Sequence, residues 1–158
     1  MGWVTLTSRK VGLTEAKHQG QMQLLNYSRQ TRAVQRQYSY DETVTLNDKQ
    51  DDLDAARAEY DAHMDKRSEI DVTSDAYDDW KDEFERLSEE WEGKKVDIEA
   101  EYDIILKNLE EESTEVETTI QEQQQVLQAQ IEAWTAELES LDESISSDIK
   151  SSTIKLGG

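Results

Sequence analysis

The chain has no cysteine, no proline, one phenylalanine, two histidines and six glycines among its 158 residues. The missing cysteine excludes disulfides, thiolate metal sites and a thiol nucleophile, and leaves the redox compartment unreported. The missing proline favours long helices, because an interior proline removes a backbone donor and clashes with the turn before it. No apolar run approaches the ~20 residues that span a bilayer. Met1 to Lys10 lacks the apolar core of a secretory signal, so a cytoplasmic or particle-incorporated protein is expected. Met1-Gly2 opens like a myristoylation signal, but Leu6 stands where Ser or Thr is required. Positive charge is scarce too: 17 Lys and Arg face 37 Asp and Glu, for a net charge of −20.

Leu, Ile, Val and Phe supply 31 of the 158 residues. At that net charge, such a fraction borders on the composition of disordered chains. Four tryptophans and six tyrosines argue for order, and the spacing of the apolar residues decides the matter.

Charge divides the chain. Residues 1–40 carry Arg9, Lys10, Lys17, Arg29, Arg32 and Arg36 against Glu15 alone, a balance of +5 that leaves −25 on residues 41–158. Such asymmetry implies that the two parts attract each other or seek different partners. Val4-Thr5-Leu6-Thr7 and Val44-Thr45-Leu46-Asn47 read as short extended tethers, each ending in a helix-capping residue, Thr7 or Asn47.

A first helix is expected from about Ser8 to Tyr40, with Leu13, Leu24, Tyr27, Val34 and Tyr38 as its apolar spine and Gly20 and Thr31 as small members in phase. Gly12 and Gly20 each cost about 1 kcal/mol against Ala, though small residues also admit a close neighbour. A second helix is expected over about 48–70, followed by a polar break at Asp71-Val72-Thr73-Ser74.

The strongest pattern follows. Tyr77, Trp80, Phe84, Leu87, Trp91, Ile98, Tyr102, Ile105 and Leu109, then Val116, Ile120, Leu127, Ile131, Trp134, Leu138, Leu141 and Ile145, recur at three- and four-residue steps and their multiples. That spacing specifies a coiled-coil stripe with stutters on a third, very long helix. Unbroken to about Ser151, this helix would exceed ~110 Å at 1.5 Å per residue. The interface residues expected to carry packing are Trp80, Phe84, Leu87, Trp91, Ile98, Ile105, Leu109, Ile120, Leu127, Ile131, Trp134, Leu138, Leu141 and Ile145. Tryptophans at Trp80, Trp91 and Trp134 are bulky for a two-stranded core and favour three or more helices per cross-section. A lone striped helix would leave its seam in water, so self-association into a homo-oligomer is expected.

Several local patterns bear on chemistry. Trp91-Glu92-Gly93 resembles the WxG turn of the small secreted helical-hairpin proteins named for that tripeptide, and the resemblance implies arms over residues 47–91 and 94–150. The seven-residue step from Trp91 to Ile98 nevertheless carries the heptad through Gly93 in phase, which reads as a tolerated helix glycine. Glu15 and His18 have the Glu-x-x-His spacing of di-iron bundles, but no second copy occurs. Asp71, Thr73, Asp75, Asp79 and Asp82 match EF-hand positions 1, 3, 5, 9 and 12, with Ala76 where the turn needs glycine; an acidic first helical turn is the simpler reading. Arg29, Arg32 and Arg36 form a basic stripe beside Tyr27, Tyr38 and Tyr40. Such a stripe suits electrostatic docking onto the acidic helix, in the same chain or the next, better than nucleic acid, which the surplus of carboxylates would repel. Leu156-Gly157-Gly158 resembles the end of a ubiquitin-like modifier without any β-grasp pattern upstream.

The fold expected is all-α: an elongated helical, coiled-coil protein with one very long helix and short extended terminal segments. Its parts are a basic tether and helix (1–46), a connecting helix and break (47–73), a long acidic coiled-coil helix (74–151) and a tail (152–158). No catalytic residue, cofactor or metal site is expected, and an enzyme is not. The function expected is that of a structural subunit (scaffold, spacer or filament component) of a multi-copy assembly such as a virion or secretion apparatus. The alternatives are a secreted helical-hairpin effector or its chaperone, and a nucleic-acid-binding module acting through the basic first helix.

Overall fold

The protein is all-α. A computed structural model describes Gly2 to Gly157, with side chains as far as Ile154, so Met1 and Gly158 of the two terminal motifs lie outside the described residues. Helix α1 runs Trp3–Asp65, a single 3-10 turn follows at Lys66–Glu69, and helix α2 runs Asp75–Gly157. Among the described residues there is no strand.

Two helices therefore stand where three were expected, and the tethers are helical. Val4–Thr7 lies in the first turns of α1, Val44–Asn47 lies in its middle, and residues 152–157 continue α2. The physical reason is that β-branched residues cost a helix only a few tenths of a kcal/mol each, and nothing nearby stops propagation: no glycine occurs between Gly20 and Gly93. The Thr7 hydroxyl, expected to cap a new helix, bonds back to the Trp3 carbonyl, and Thr45 of the second tether bonds back to the Asp41 carbonyl.

The expected break at Asp71–Ser74 is present. Ile70 is extended, with φ −106° and ψ 130°. The Asp71 carboxylate accepts the Thr73 N–H and the Thr73 hydroxyl, both at 2.9 Å, and Ser74 donates to the Asp71 carbonyl at 2.7 Å. This side-chain turn replaces the backbone bonds that the helix gives up. Asp75 and Asp78 then supply the negative charge that favours the start of α2.

The chain divides into two compact units: one of Arg36–Ser113, the other of Met1–Gln35 with Thr114–Gly158. The first is a helical hairpin. Its covered positions on α1 include Tyr38, Asp41, Thr45, Lys49, Leu53, Ala56, Tyr60 and His63, and those on α2 include Trp80, Leu87, Tyr102, Leu106 and Leu109. The run of four-residue steps at 41, 45, 49 and 53 faces a similar run at 98, 102 and 106, as the Asp52–Tyr102 hydrogen bond attests. Such stutters shift a seam from a 3.5-residue toward a 3.67-residue period. The shift explains why Ile105 stands 38% exposed while Leu106 takes the covered position. In the other unit the covered positions on α1 include Lys10, Leu13, Lys17, Gly20, Leu24, Tyr27, Thr31 and Val34, and Ile120, Ile131 and Leu141 of α2 are buried. Val116, expected on the seam, is 46% exposed, and Glu117 is the partly covered neighbour.

Candidate interaction surfaces

Because α1 ends at Asp65, the His63 carbonyl lacks a helical partner from the residue four ahead. Trp80, on the second turn of α2, supplies one: its indole Nε1–H donates to the His63 carbonyl at 2.9 Å. The His63 ring returns a bond to the Trp80 carbonyl at 2.8 Å. A carbonyl only accepts, so the His63 Nε2 carries the proton. The rings stack at 5.0 Å, Phe84 stacks on Trp80 at 5.3 Å, and Arg67 lies 4.8 Å from the Tyr77 centroid and 5.6 Å from that of Trp80. This aromatic block closes the hairpin. Further along, Arg57 lies 5.8 Å from the Tyr60 ring and 5.9 Å from Trp91, and the Tyr102 hydroxyl donates to the Asp52 carboxylate at 2.5 Å. That bond, with burial and the carboxylate's charge behind it, pushes the phenol up to about 12.

In the other unit Gly20 is buried against Ile131 and Trp134. A Cβ there would stand 3.1 Å from Trp134 Cζ3 and 3.1 Å from Ile131 Cγ1. The missing side chain makes room for an indole between only two helices. Arg9 pairs with Glu137, and Lys10 with Asp142 at 2.5 Å. Part of the basic N-terminal segment thus meets the acidic helix of its own chain.

The expected interface residues sort by exposure. Trp80, Leu87, Ile120, Ile131 and Leu141 are buried; Phe84, Trp91, Ile98, Leu109, Leu127, Trp134, Leu138 and Ile145 are half-buried; Ile105 is exposed. Arg29, Arg32 and Arg36 are all exposed, and among the described residues none has a carboxylate within ion-pair distance. Trp91, Glu92 and Gly93 lie inside α2, and the hairpin's turn is at 66–74, so the arms implied by the WxG resemblance do not form. Glu15 and His18 are exposed on α1. Asp71 makes the side-chain turn, and Asp75, Asp79 and Asp82 lie on the first turns of α2. Among the described residues no cluster of three or more His, Asp or Glu is arranged to hold a metal ion, and no helix is long and apolar enough to cross a membrane.

The sequence anticipated Gly20 as a place of close approach and Trp80 as a seam residue. It did not pair Tyr102 with Asp52; the available signal was that a tyrosine placed on a seam needs a hydroxyl partner. The carboxylates whose pKa values move all move down. Asp71 is lowered by the Thr73 N–H and hydroxyl, Glu83 by its bond to Arg86, and Glu90 by its bond to Lys94. Each is held ionised, the opposite of what a general acid requires. No protein-family model, no curated protein and no solved structure matches the chain.

Proposed function

We propose that this protein is a structural coiled-coil subunit, a scaffold, spacer or filament component of a multi-copy assembly such as a virion or a secretion apparatus. The observation that carries the reading is how little apolar surface the pairing of α1 with α2 covers. Among the described residues only six large hydrophobic side chains are buried, and none is fully enclosed. Meanwhile Val11, Met22, Leu25, Val96, Ile104 and Val126 are each more than half exposed. Two helices per cross-section leave such residues in water, and sister chains packing alongside would cover them. The sustained three- and four-residue spacing on both helices supports a coiled-coil role, since it specifies stiffness and register rather than a pocket.

The absence of native cysteine makes a direct test simple. A cysteine introduced at exposed Ser8 is labelled with donor in one preparation and acceptor in another. Mixing the two at micromolar concentration gives energy transfer that excess unlabelled chain abolishes. No transfer at any concentration would refute the assembly role.

A further inference from the structure

The face of α1 turned away from its partner helix is not an ordinary solvated face. The covered positions of this stretch include Lys10, Leu13, Lys17, Gly20, Leu24, Tyr27 and Thr31. On the opposite side two seven-residue rows run in parallel, Val11, His18, Leu25 and Arg32 in one, Glu15, Met22 and Arg29 in the other, all exposed. Val11 is 63% exposed, and Met22 and Leu25 are each 56% exposed. Three apolar side chains at outward positions, continued by two arginines with no carboxylate at ion-pair distance among the described residues, form an amphipathic face without an occupant.

The complementary surface occurs on the outside of α2. Asp97, Glu101, Ile104 and Glu111 fall on one helical face and are exposed. Ile104 is 62% exposed, and Val96, 64% exposed, borders the row. Glu111 meets only Lys107, at 3.9 Å; Asp97 and Glu101 have no basic partner among the described residues. Leu25 to Arg32 and Ile104 to Asp97 each span seven residues, about 10 Å of helix at 1.5 Å per residue. An antiparallel alignment that sets Leu25 beside Ile104 therefore sets Arg29 near Glu101 and Arg32 near Asp97.

We propose that the outward face of α1 around Leu25, Arg29 and Arg32 docks onto the outward face of α2 around Ile104, Glu101 and Asp97 of a second copy of this chain. The inference rests on the multi-copy reading above and names the surface through which the copies meet. Each copy offers one of each face, and with every α1 face engaging the α2 face of the next copy the contact is heterologous and copies add head to tail. Arginine suits the role because its planar fork matches a carboxylate bidentately, while the flanking apolar contact excludes water.

The test reverses charge on each face separately, at exposed positions that leave the α1–α2 seam untouched. Arg29→Glu with Arg32→Glu, and Asp97→Lys with Glu101→Lys, should each keep the helicity of the parent and each weaken self-association tenfold or more. The second variant loses association although its net charge is smaller, so long-range repulsion does not account for the loss. Mixed one to one, the variants should regain assembly, because every contact in an alternating array pairs opposite charges again. If the parent assembles and either variant assembles equally well, or if mixing restores nothing, this surface is wrong while the multi-copy reading stands. A parent that never assembles overturns both. If the parent binds a DNA duplex, and the arginine variant loses that binding with self-association unchanged, the face belongs to nucleic acid and the proposal is overturned.

Discussion

Gly20 and Trp134 show how single residues set what two helices can hold between them. An indole needs space that a second side chain would fill, and Gly20 yields it, with Ile131 closing the other side. The glycines of α1 and α2 should therefore differ in their response to alanine. At Gly12 and Gly93 a Cβ meets nothing within 4 Å, so Gly12→Ala and Gly93→Ala should each stabilise by about 1 kcal/mol through helix propensity. At Gly20 the same gain is opposed by the 3.1 Å approaches, and Gly20→Leu should cost about 1–3 kcal/mol by overpacking. Urea midpoints would check the order; a destabilised Gly93→Ala would mean that the glycine marks a turn after all. Gly20 was legible in the sequence as a place that admits a close neighbour; that the neighbour is Trp134 was not, because spacing along one helix does not say what faces it.

Tyr102 makes a prediction in pH. Its folded phenol titrates near 12 against about 10 for an ordinary tyrosine, chiefly because it donates to Asp52. A raised folded pKa means that the unfolded chain loses its proton first. The stabilisation is thus complete below about pH 10 and disappears as pH climbs from there toward 12. Tyr102→Phe should unfold at lower urea than the parent at pH 8, and the gap between the two should narrow steadily as pH rises from about 10 toward about 12. A constant gap across that range would deny the hydrogen bond its role.

At the scale of the element, the continuity of α1 is the main departure from what the sequence implied. The pattern Val-Thr-Leu-Asn suggested a strand-like tether because it combines β-branched residues with a good cap. Those preferences amount to tenths of a kcal/mol per residue, whereas ending a helix in mid-course forfeits several hydrogen bonds and a nucleation step. The break at Asp71–Ser74 was readable because it concentrates turn chemistry, with an Asp that accepts from Thr73 twice. Proline separates the two cases. Val44→Pro should destabilise by about 3 kcal/mol and lower the helicity seen by circular dichroism, because Val44 lies within α1 and is 39% exposed, so packing loss is small. Val72→Pro, in the connection and 55% exposed, should cost far less. Equal tolerance at both positions would restore a break near residue 44.

At the scale of the whole molecule, the helical class was legible in the spacing of the apolar residues: a stripe at three- and four-residue steps, in a chain without proline, leaves few alternatives. The pattern did not show which helix covers which, because a seam specifies that it is buried and not by whom. Nor could the stutters that move Ile105 outward and Leu106 inward be placed before the facing stretch of α1 was known. What the exposed apolar residues and the unpaired arginines imply about partners rests on the outward faces. The decisive quantity is mass. Sedimentation equilibrium of the intact chain, from low micromolar to high micromolar concentration, should give a weight-average mass that climbs with concentration to multiples of 18.2 kDa. A mass fixed at 18.2 kDa across that range would contradict the account.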